Sequence, residues 1–409
     1  MTSAPQSPDQ ERPRIAIIGA GIGGLTTAIA LRQFGFTPEI FEQAPVLLDV
    51  GSAIALWPNA IRVLQKLKLE DQVLSKAGVI EQIRWVDQHG RLINNIDFRS
   101  SKIPSIGVHR ADLQKILVDA LPASCIHLGN MLVDYKFSDK TVTTTFSNGN
   151  VVESDVLIGA DGIHSRVRSE LIKEAAPIYR GYTVWRGISS VRPGSLSAGT
   201  AVEVQGKGKR FGMGPVGSGK IGWWATVNAA NTSTTVSERT TPTRWKLGER
   251  ALPTQDVQRE LLRMFDGWFR PVLQLIESTP SSSILKTGAF DRPPSGIWSS
   301  AALTLLGDAI HPTTPNLGQG GCQAIEDAMV LARCLNEFAP EEAFTRYERL
   351  RRGRTTRIAR CSRIYGNVGQ WESIFGRALR RSMLSLVPEA VLHRLMDLIF
   401  AYDANAIKL

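Results

Sequence analysis

The chain has 409 residues, 43% of them apolar, and a formal charge of +10. That length allows two or more domains with large cores, and the composition is that of an ordinary globular protein. The four cysteines include no Cys-x-x-Cys pair, and the six histidines show no metal-ligand spacing. We therefore expect neither a disulfide framework nor a metal site, and we predict reduced thiols and a cytoplasmic location.

Much of the positive charge lies between Arg346 and Arg381, where arginines recur through a helical pattern. Such a run usually forms a solvated helix face, and no aromatic-interleaved motif typical of RNA or DNA binding accompanies it. We therefore predict no nucleic-acid partner. A positive field also attracts anionic substrates and nicotinamide dinucleotides.

The chain opens with a short apolar run over residues 14–18, which predicts a buried parallel strand. Apolar residues then recur at helical spacing over 25–34, and a second strand is predicted over 37–41. The run Gly19-Ala20-Gly21-Ile22-Gly23-Gly24 lies between the first strand and the helix. In this context the pattern G-x-G-x-x-G indicates a dinucleotide-binding site.

The glycines of this motif have separate physical roles. Gly19 makes the tight turn, Gly21 lets a pyrophosphate approach the backbone, and Gly24 permits close packing of the helix on the strand. Glu42 ends the second strand about 20 residues further on, where a carboxylate accepts hydrogen bonds from ribose hydroxyls. The motif alone does not distinguish FAD from NAD.

The next segment alternates short elements. We predict a loop from Gly51 into a helix over about 60–67, a hairpin over 83–86 and 92–98, a helix that begins near Arg110, and strands over 126–133 and 142–146. The last two strands are expected to continue the first sheet. Residues 156–162 repeat the pattern of a strand that runs into a turn.

Alternating strands follow over 182–188, 200–204, 210–213 and 221–227, and they predict an antiparallel sheet with one face free to wall a pocket. Residues 231–243 are rich in Ser and Thr and predict a flexible surface segment. An amphipathic helix is expected over 257–269. The strand at 284–290 is then expected to return the chain to the first domain.

The segment from Leu303 to Leu331 predicts strand, turn and helix. Asp308 ends the strand, where an ionised carboxylate can hold sugar-like hydroxyls. Gly318, Gly320 and Gly321 allow a flat ligand to approach the backbone, and the helix start offers unpaired N–H groups to an anion. The rest of the chain is predicted to be helical and to end in a helix over 389–400.

Together the segments at 19–24, 159–168 and 303–331 resemble the signature set of the FAD-dependent aromatic monooxygenases, the family of p-hydroxybenzoate hydroxylase. The resemblance covers nearly the whole chain. Within the family, urate hydroxylases and zeaxanthin epoxidases look most similar, by the stretch T-P-N-L-G-Q-G-G-C-x-A-I-E-D-A and by Gly181-Tyr182.

This resemblance implies an α/β fold with a Rossmann-like FAD-binding domain, an antiparallel-sheet substrate domain and C-terminal helices. We assign residues 14–75, 100–178 and 284–365 to the first domain, 76–99 and 179–283 to the second, and 366–409 to the helical segment. Only one dinucleotide fingerprint is present, so NAD(P)H is not expected to bind through a second Rossmann domain. A monomer or a homodimer is expected.

The resemblance also implies the reaction. NAD(P)H reduces FAD, O₂ adds at the flavin C4a position, and the resulting hydroperoxide hydroxylates or epoxidises an aromatic or conjugated small molecule. It assigns cofactor contacts to Gly19, Gly21, Gly23, Gly24, Glu42, Gln43, Ala55, Arg110, Leu132, Asp161, Asp308, Gly318, Gln319, Gly320, Gly321 and Cys322. Arg168 is placed as a phosphate-facing arginine, and Leu132 is expected to meet the adenine through its backbone.

Four residues are the candidates for the reacting side of the site. Arg210 matches the arginine that urate hydroxylases place against substrate, and Pro315 would shape the loop beside the flavin ring. Asn316 stands where those enzymes have an aspartate, and Gly222 where they have a substrate-binding tyrosine, which counts against urate. Arg186 either lines the site or pairs structurally. Five candidate pocket walls, each more typical of sheet core when taken singly, are Trp185, Phe211, Met213, Trp223 and Trp224.

Two other functions are compatible with an FAD-binding fold. A flavin-dependent halogenase needs a Trp-x-Trp motif, whereas Trp223 and Trp224 are adjacent. A catalytically silent FAD-binding ligand carrier stays open, because no acid/base constellation is visible. The last helix is too short and charged to span a bilayer, but its apolar face is compatible with contact to a membrane surface.

Overall fold

A computed structural model describes residues 12–47, 52–138, 141–173, 176–229 and 256–409. The surface segment predicted at 231–243 lies outside these ranges. Within them, no helix combines the length and apolar character needed to cross a membrane.

The strands, in chain order, are β1 (Ile15–Ile18), β2 (Glu39–Phe41), β3 (Ala53–Leu56), β4 (Gly78–Ile80), β5 (Gln82–Asp87), β6 (Leu92–Asp97), β7 (Ser105–His109), β8 (Ile126–His127), β9 (Leu132–Ser138), β10 (Thr141–Phe146), β11 (Val151–Ser154), β12 (Val156–Gly159), β13 (Ile178–Ser189), β14 (Thr200–Gln205), β15 (Lys209–Pro215), β16 (Ile221–Asn228), β17 (Leu285–Asp291), β18 (Ser299–Ser300) and β19 (Leu303–Leu305). The α-helices are α1 (Ile22–Gln33), α2 (Pro58–Lys66), α3 (Glu70–Lys76), α4 (Arg110–Asp119), α5 (Arg166–Ile172), α6 (Asp256–Met264), α7 (Arg270–Glu277), α8 (Gly320–Glu337), α9 (Pro340–Gly369), α10 (Ile374–Leu386) and α11 (Glu389–Phe400).

A mostly parallel sheet forms the first domain, with strand order β18-β19-β12-β1-β2-β8. Its central strands are apolar along their whole length and fully buried, as expected for strands covered by helices on both faces. The two helices α1 and α8 pack against each other beside the sheet. The predicted Rossmann-like architecture is confirmed.

Strands β9, β10 and β11 form a separate antiparallel sheet. The prediction that residues 142–146 continue the first sheet is therefore wrong, and only β8 does so, by pairing with β2. The reason lies in the sequence Thr-Val-Thr-Thr-Thr-Phe of β10, in which every second side chain is buried. Such alternation suits a strand with one solvated face, whereas the central strands of the first sheet are apolar throughout.

The second domain is built on a seven-stranded sheet with order β17-β13-β16-β15-β14-β5-β6. Its pairs are antiparallel except for β14 and β5, which are parallel. The hairpin of β5 and β6 joins this sheet from an earlier part of the chain. Strand β17 pairs with β13, so the expectation that the strand at 284–290 returns to the first domain is wrong. The chain re-enters the first sheet only at β18 and β19.

One face of this sheet, the back face, is covered by α6 and α7. Trp185, Phe211, Met213 and Trp223 point to that side and pack in one cluster with helix residues such as Leu261 and Leu275. Four of the five candidate pocket walls are therefore core residues. Trp224 alternates to the opposite side, which we call the front face.

A small sheet of β3, β7 and β4 lies between the two large ones. The segment expected to be a loop from Gly51 thus contains a strand, β3, which pairs with β7. Its Ala53 side chain sits so close to Gly222 of β16 that a Cβ at that glycine would lie 2.3 Å from the Ala53 Cβ. The absence of a side chain at Gly222 therefore lets the front face pack directly on β3.

The C-terminal helices tie the two domains together. Helix α9 packs on α8 of the first domain and also contacts the turn at Pro315–Leu317. Helices α10 and α11 pack on β6 of the second domain. The ring of Phe400 stacks on that of Trp57 with the centroids 4.4 Å apart, which returns the chain end to the first domain.

A buried charge cluster joins α8 to α9. Arg351 is fully buried, and its Nε donates to Asp327 Oδ1 at 2.7 Å while its Nη1 pairs with Glu326. Arg354 adds two hydrogen bonds of 2.7 Å to Glu326. The other oxygen of Asp327 accepts from the Gly307 N–H at 2.9 Å and lies 2.5 Å from His311 Nε2. The cluster thereby fixes the end of β19 against the start of α8.

The stability that this cluster contributes depends on the ionisation of Asp327 and hence on pH. Burial acts to raise the pKa of Asp327, but His311 and Arg351 outweigh it and hold that pKa well below its usual value of 3.8. Because the pKa is lowered in the folded state, Asp327 contributes stability above pH 3.8, and this contribution is lost as the pH falls toward the folded pKa.

Replacing Arg351 with Met should lower the free energy of unfolding by about 3–5 kcal/mol, since it leaves buried carboxylates without their cation. Urea denaturation followed by circular dichroism measures this loss. Arg349→Met is the matched control, because Arg349 lies exposed on the same helix, and it should change stability by less than about 0.5 kcal/mol. Equal losses from the two variants would contradict a structural role for the cluster.

Candidate active site

The candidate site lies where the carboxyl ends of parallel strands meet. Strands β1, β2, β12 and β19 all run in the same direction. Their ends therefore bring Gly19, Glu42, Asp161 and Asp308 to one edge of the sheet, although these residues are far apart in the sequence. Ligands of open α/β sheets bind at this edge.

The glycine turn after β1 is closely packed except at one position. Gly19 has a φ of +108°, and a Cβ there would lie 2.6 Å from the Ala160 carbonyl oxygen. A Cβ on Gly24 would lie 2.0 Å from the Gly19 oxygen, and one on Gly23 would lie 2.8 Å from a Leu306 methyl. By contrast, a Cβ on Gly21 meets nothing within 4 Å. The backbone at Gly21 is therefore open to a ligand.

Glu42 is held beside this turn by two backbone groups. Its carboxylate accepts from the Ala20 N–H at 2.8 Å and from the Ala44 N–H at 2.9 Å. Each carboxylate oxygen keeps a further lone pair for a hydroxyl donor. Gln43 follows on the surface, and the Asn130 N–H donates to the Glu42 carbonyl at 2.8 Å, which brings the start of β9 at Leu132 close to this strand end.

One carboxylate oxygen of Asp161 accepts hydrogen bonds from the protein, and the other accepts none in the described part of the chain. Its Oδ2 accepts from the backbone N–H groups of Arg166 and Val167, so it caps the start of α5. Its Oδ1 is buried and has no hydrogen-bond partner in the described part of the chain. Burial raises the pKa of this carboxyl. A buried acceptor without a donor is uncommon, and it lies beside the glycine turn.

The structure gives Arg168 a position inside the protein. Its guanidinium is buried and donates to the carbonyl oxygens of Ala309 and Ile310, at 3.2 and 2.6 Å. The residue therefore braces the loop after β19, and its assignment as a phosphate-facing arginine stays a prediction.

Asp308 lies at the start of α8, with Oδ1 3.8 Å from the position that a Cβ on Gly320 would occupy. The side chain is exposed at the cleft surface. Desolvation by the protein around it nevertheless raises the pKa of its carboxyl. His311 and Arg110 act in the opposite direction. Arg110 begins α4 and is exposed, and its side chain makes no hydrogen bond or ion pair with the rest of the described chain.

The turn before α8 packs on β3. Gly318 has a φ of +60°, and a Cβ there would lie 3.4 Å from the Ala55 Cβ. Cys322 is buried with its Sγ 3.6 Å from the Ala55 carbonyl oxygen, and burial raises the pKa of the thiol to about 12. The Gln319 side chain accepts from Asn59 Nδ2 at 3.0 Å. The side chains of Gln319 and Cys322 are thus used within the protein, which leaves their backbone groups for a ligand.

At the other side of the cleft, Arg210 and Asn316 form a buried polar network. Arg210 Nη2 donates to Asn316 Oδ1, and its Nη1 pairs with Glu203 at 3.2 Å. Asn316 Nδ2 donates to the Tyr182 hydroxyl at 3.0 Å and to the Ser362 carbonyl oxygen at 3.0 Å. Arg210 is 0% exposed. Its guanidinium bonds to Asn316 and Glu203, and the direct contact with substrate that the resemblance implies stays a prediction.

Arg186 differs from the other buried arginines. It lies on the front face of β13 with its Nη1 3.1 Å from the Thr287 hydroxyl, and no carboxylate of the described residues pairs with it. Burial lowers the pKa of its guanidinium, against the opposing effect of Tyr182. Directly opposite on β16 is Trp224, whose indole lies against Gly212 of β15. The guanidinium of Arg186, without a carboxylate partner among the described residues, and the indole of Trp224 thus lie on the same face of the sheet.

Pro315 is exposed at the start of a short 3₁₀ turn, beside Asn316. Sequence reasoning singled out neither Tyr182 nor the pair Thr314 and Ser362 as part of this network. Hydroxyls that bond across 48 residues leave no local pattern in the sequence. The same holds for Glu326 and Asp327, whose partner Arg351 lies 25 and 24 residues away.

This chain matches known proteins over most of its length. The family model described as FAD binding domain matches residues 12–262. Aurachin C monooxygenase/isomerase of Stigmatella aurantiaca is 36% identical over 91% of this chain and 94% of its own length. The 3-amino-4-hydroxybenzoate 2-monooxygenase of Streptomyces cremeus is 34% identical over 86% of each chain. The solved structure of Klebsiella pneumoniae HpxO complexed with FAD and uric acid has a TM-score of 0.84 and 25% identity, and covers 94% of this chain and 96% of that one.

These similarities agree with the family inferred from the three motifs, and they do not favour a halogenase. They also make FAD the cofactor, with NAD(P)H as the reductant typical of such enzymes. The chain belongs to the FAD-dependent aromatic monooxygenases.

Proposed function

We propose that this monooxygenase hydroxylates an aromatic small molecule that carries an anionic oxygen, and that Arg186 binds this oxygen on the front face. The observation that carries the proposal is the Arg186 guanidinium, which is half-buried on the front face without a carboxylate partner in the described chain. Desolvating a cation is costly unless an opposite charge accompanies it. An anionic substrate would supply that charge.

The residues at the strand ends fit FAD. The open backbone at Gly21 and the first turn of α1 would hold the pyrophosphate, because helix starts offer free N–H groups to anions. Glu42 would accept the ribose hydroxyls, and the unpaired Oδ1 of Asp161 would accept a hydroxyl from the same cofactor. When bound and reduced by NAD(P)H, FAD supplies the activation of O₂ for oxygen transfer.

Arg110 and Asp308 would hold the middle of the cofactor. A cation at a helix start is disfavoured by the helix dipole, so the exposed Arg110 would gain from an anionic phosphate. Asp308 would accept hydroxyls of the ribityl chain. The first N–H groups of α8, at Gly320 and Gly321, would stabilise negative charge on the flavin ring.

The front face would hold the substrate against the cofactor. Trp224 provides a flat apolar surface for an aromatic ring, and Arg186 is its direct neighbour across the β13–β16 pair. Asn316 is fixed by Arg210 and Tyr182, so its position is set before a substrate binds. A pocket whose walls are fixed in this way would also limit the access of water to the reacting atoms.

One of the relatives supports this substrate class. The Streptomyces cremeus protein is named for a hydroxybenzoate, an aromatic carboxylate with a hydroxyl group. Hydroxylation is favoured over epoxidation here, because a neutral conjugated chain would leave the charge of Arg186 unpaired. A silent FAD-binding carrier would show no NAD(P)H oxidation that depends on an added aromatic compound.

Gly21→Val should weaken FAD binding by about 100-fold, or about 2.8 kcal/mol, because the side chain would occupy the place of the pyrophosphate. The apoprotein should keep its thermal midpoint, since the added Cβ meets no protein atom within 4 Å. Fluorescence titration with FAD measures the affinity. Gly194→Val is the control, because that glycine is equally open but lies in the loop after β13. Unchanged FAD affinity in Gly21→Val would refute the proposed phosphate site.

Arg186→Met should raise KM for an anionic hydroxyaromatic by about 10- to 100-fold, because the substrate anion loses its partner. Substrate-stimulated NAD(P)H oxidation, with the hydroxylated product confirmed by mass spectrometry, measures this effect over a panel of hydroxybenzoates, phenols, purines, quinolones and carotenoids.

Two comparisons make this test specific. FAD content and NAD(P)H oxidation without substrate should stay at the level of the unmodified chain, and Arg357→Met, at an exposed arginine of α9, should leave KM unchanged. The proposal fails if neutral and anionic substrates respond equally to Arg186→Met, or if only neutral compounds stimulate turnover.

A further inference from the structure

Helix α9 contains three glycines, Gly353, Gly366 and Gly369. None of them has the left-handed backbone conformation that favours glycine, and glycine is a poor helix former. Gly353 is exposed, and a Cβ there would meet nothing within 4 Å. Gly366 and Gly369 are buried and lie about one turn apart near the end of the helix. The missing side chains at these two positions therefore have a cause in packing.

Two polar groups of the candidate site occupy the space that these side chains would fill. A Cβ on Gly366 would lie 2.5 Å from Asn316 Nδ2 and 3.2 Å from the Tyr182 hydroxyl oxygen. A Cβ on Gly369 would lie 2.7 Å from Arg210 Nε and 2.9 Å from its Cζ. These separations are well below an ordinary van der Waals contact, so a side chain at either glycine would displace the group beside it.

The Asn316 amide has no free direction in which to move away from α9. Its Oδ1 accepts from the Arg210 guanidinium, while its Nδ2 donates to the Thr314 hydroxyl at 2.9 Å and to the Ser362 carbonyl oxygen of α9 at 3.0 Å. A guanidinium only donates and a carbonyl oxygen only accepts, so these partners determine which way round the amide lies. An aspartate in this place would set an oxygen against the Ser362 carbonyl oxygen, which accounts for the amide.

The Arg210 guanidinium is held on all sides as well. It is 0% exposed, its Nη1 lies 3.2 Å from Glu203, and its Nε donates to Gln370 Oε1 at 3.3 Å. The rings of Trp224 and Tyr365 lie 5.3 and 5.5 Å from its Cζ, and the Tyr365 hydroxyl donates to Glu203 at 2.8 Å. A new methyl group on α9 would therefore break contacts of the guanidinium.

We propose that Gly366 and Gly369 are positioning residues for the oxygen-transfer reaction, because their missing side chains let the backbone of α9 hold Asn316 and Arg210 in one arrangement. Asn316 shares a short turn with Pro315, and α9 contacts this turn. The place of Asn316 therefore also sets the place of the loop proposed beside the flavin ring. This inference rests on the proposed place of FAD and not on the substrate proposed for Arg186.

Alanine substitutions of the glycines, each in the FAD-loaded full chain, test the contact. Gly353→Ala is the matched control on the same helix, and it should raise the thermal midpoint by about 1 °C because alanine favours a helix over glycine. Gly366→Ala should instead lower the midpoint by at least about 2 °C, since Asn316 must leave its partners. In an Asn316→Ala background, Gly366→Ala should cause no such loss.

Two further measurements distinguish positioning from a purely structural role. With the panel compound that most stimulates NAD(P)H oxidation, Gly366→Ala should lower the yield of hydroxylated product per NAD(P)H at least about threefold, while KM and FAD affinity change less than about twofold. The missing product should appear as hydrogen peroxide, since O₂ then takes both electrons of NAD(P)H and transfers no oxygen atom. The visible absorption of bound FAD, which needs no substrate, should shift in Gly366→Ala and Gly369→Ala but not in Gly353→Ala.

The positioning role is overturned if Gly366→Ala behaves like Gly353→Ala, or if its loss of thermal midpoint is just as large in the Asn316→Ala background. A lower midpoint with unchanged FAD absorption and unchanged product yield would also overturn it, because the contact would then be structural only. If no panel compound stimulates NAD(P)H oxidation, the proposed function fails, whereas the thermal midpoints and the FAD spectra still decide the role of the glycines.

Discussion

The cation of Arg351, buried between two carboxylates, fixes the geometry on which the site depends. Through Asp327 it orients the Gly307 N–H at the end of β19 and His311 in the following loop, and through Glu326 it holds the α8 helix. Asp308 and the first turn of α8 are consequently placed at one edge of the sheet. Removing one partner of such a buried pair leaves an uncompensated charge, so the arrangement is costly to disrupt. In this chain the cluster fixes the position of the Asp308 carboxylate relative to the N-terminus of α8.

The second constraint is the alternation of side chains in the seven-stranded sheet. Because neighbouring residues point to opposite faces, Trp223 belongs to the core under α6 and α7 while Trp224 faces the cleft. The same rule puts Arg186 on the front face and Trp185 on the back. The two arginines on the front face therefore differ in their charge partners. Arg210 pairs with Glu203 and holds Asn316, whereas Arg186 has no carboxylate partner among the described residues.

Much of the cofactor half could be predicted from the sequence, because its signals are local. The glycine turn, Glu42 at the end of β2 and the turn after β19 each combine a strand, a turn and a helix within a short stretch, and the fold brings them together as expected. The substrate half could not be predicted in this way. Whether Arg210 contacts a ligand depends on Glu203, Asn316 and α9, which meet only in the folded chain. The sheet that contains β17 could not be predicted either, because its partner β13 lies about a hundred residues earlier in the sequence.

The central claim is that FAD lies along the strand ends and that a substrate anion meets Arg186 on the front face. A crystal structure of the chain with FAD and a hydroxybenzoate tests it most directly. The account predicts phosphate oxygens at the Gly21 backbone and the substrate carboxylate or phenolate within hydrogen-bond distance of the Arg186 guanidinium. A cofactor bound away from the strand ends, or a substrate anion held elsewhere while Arg186 contacts only protein, would contradict it.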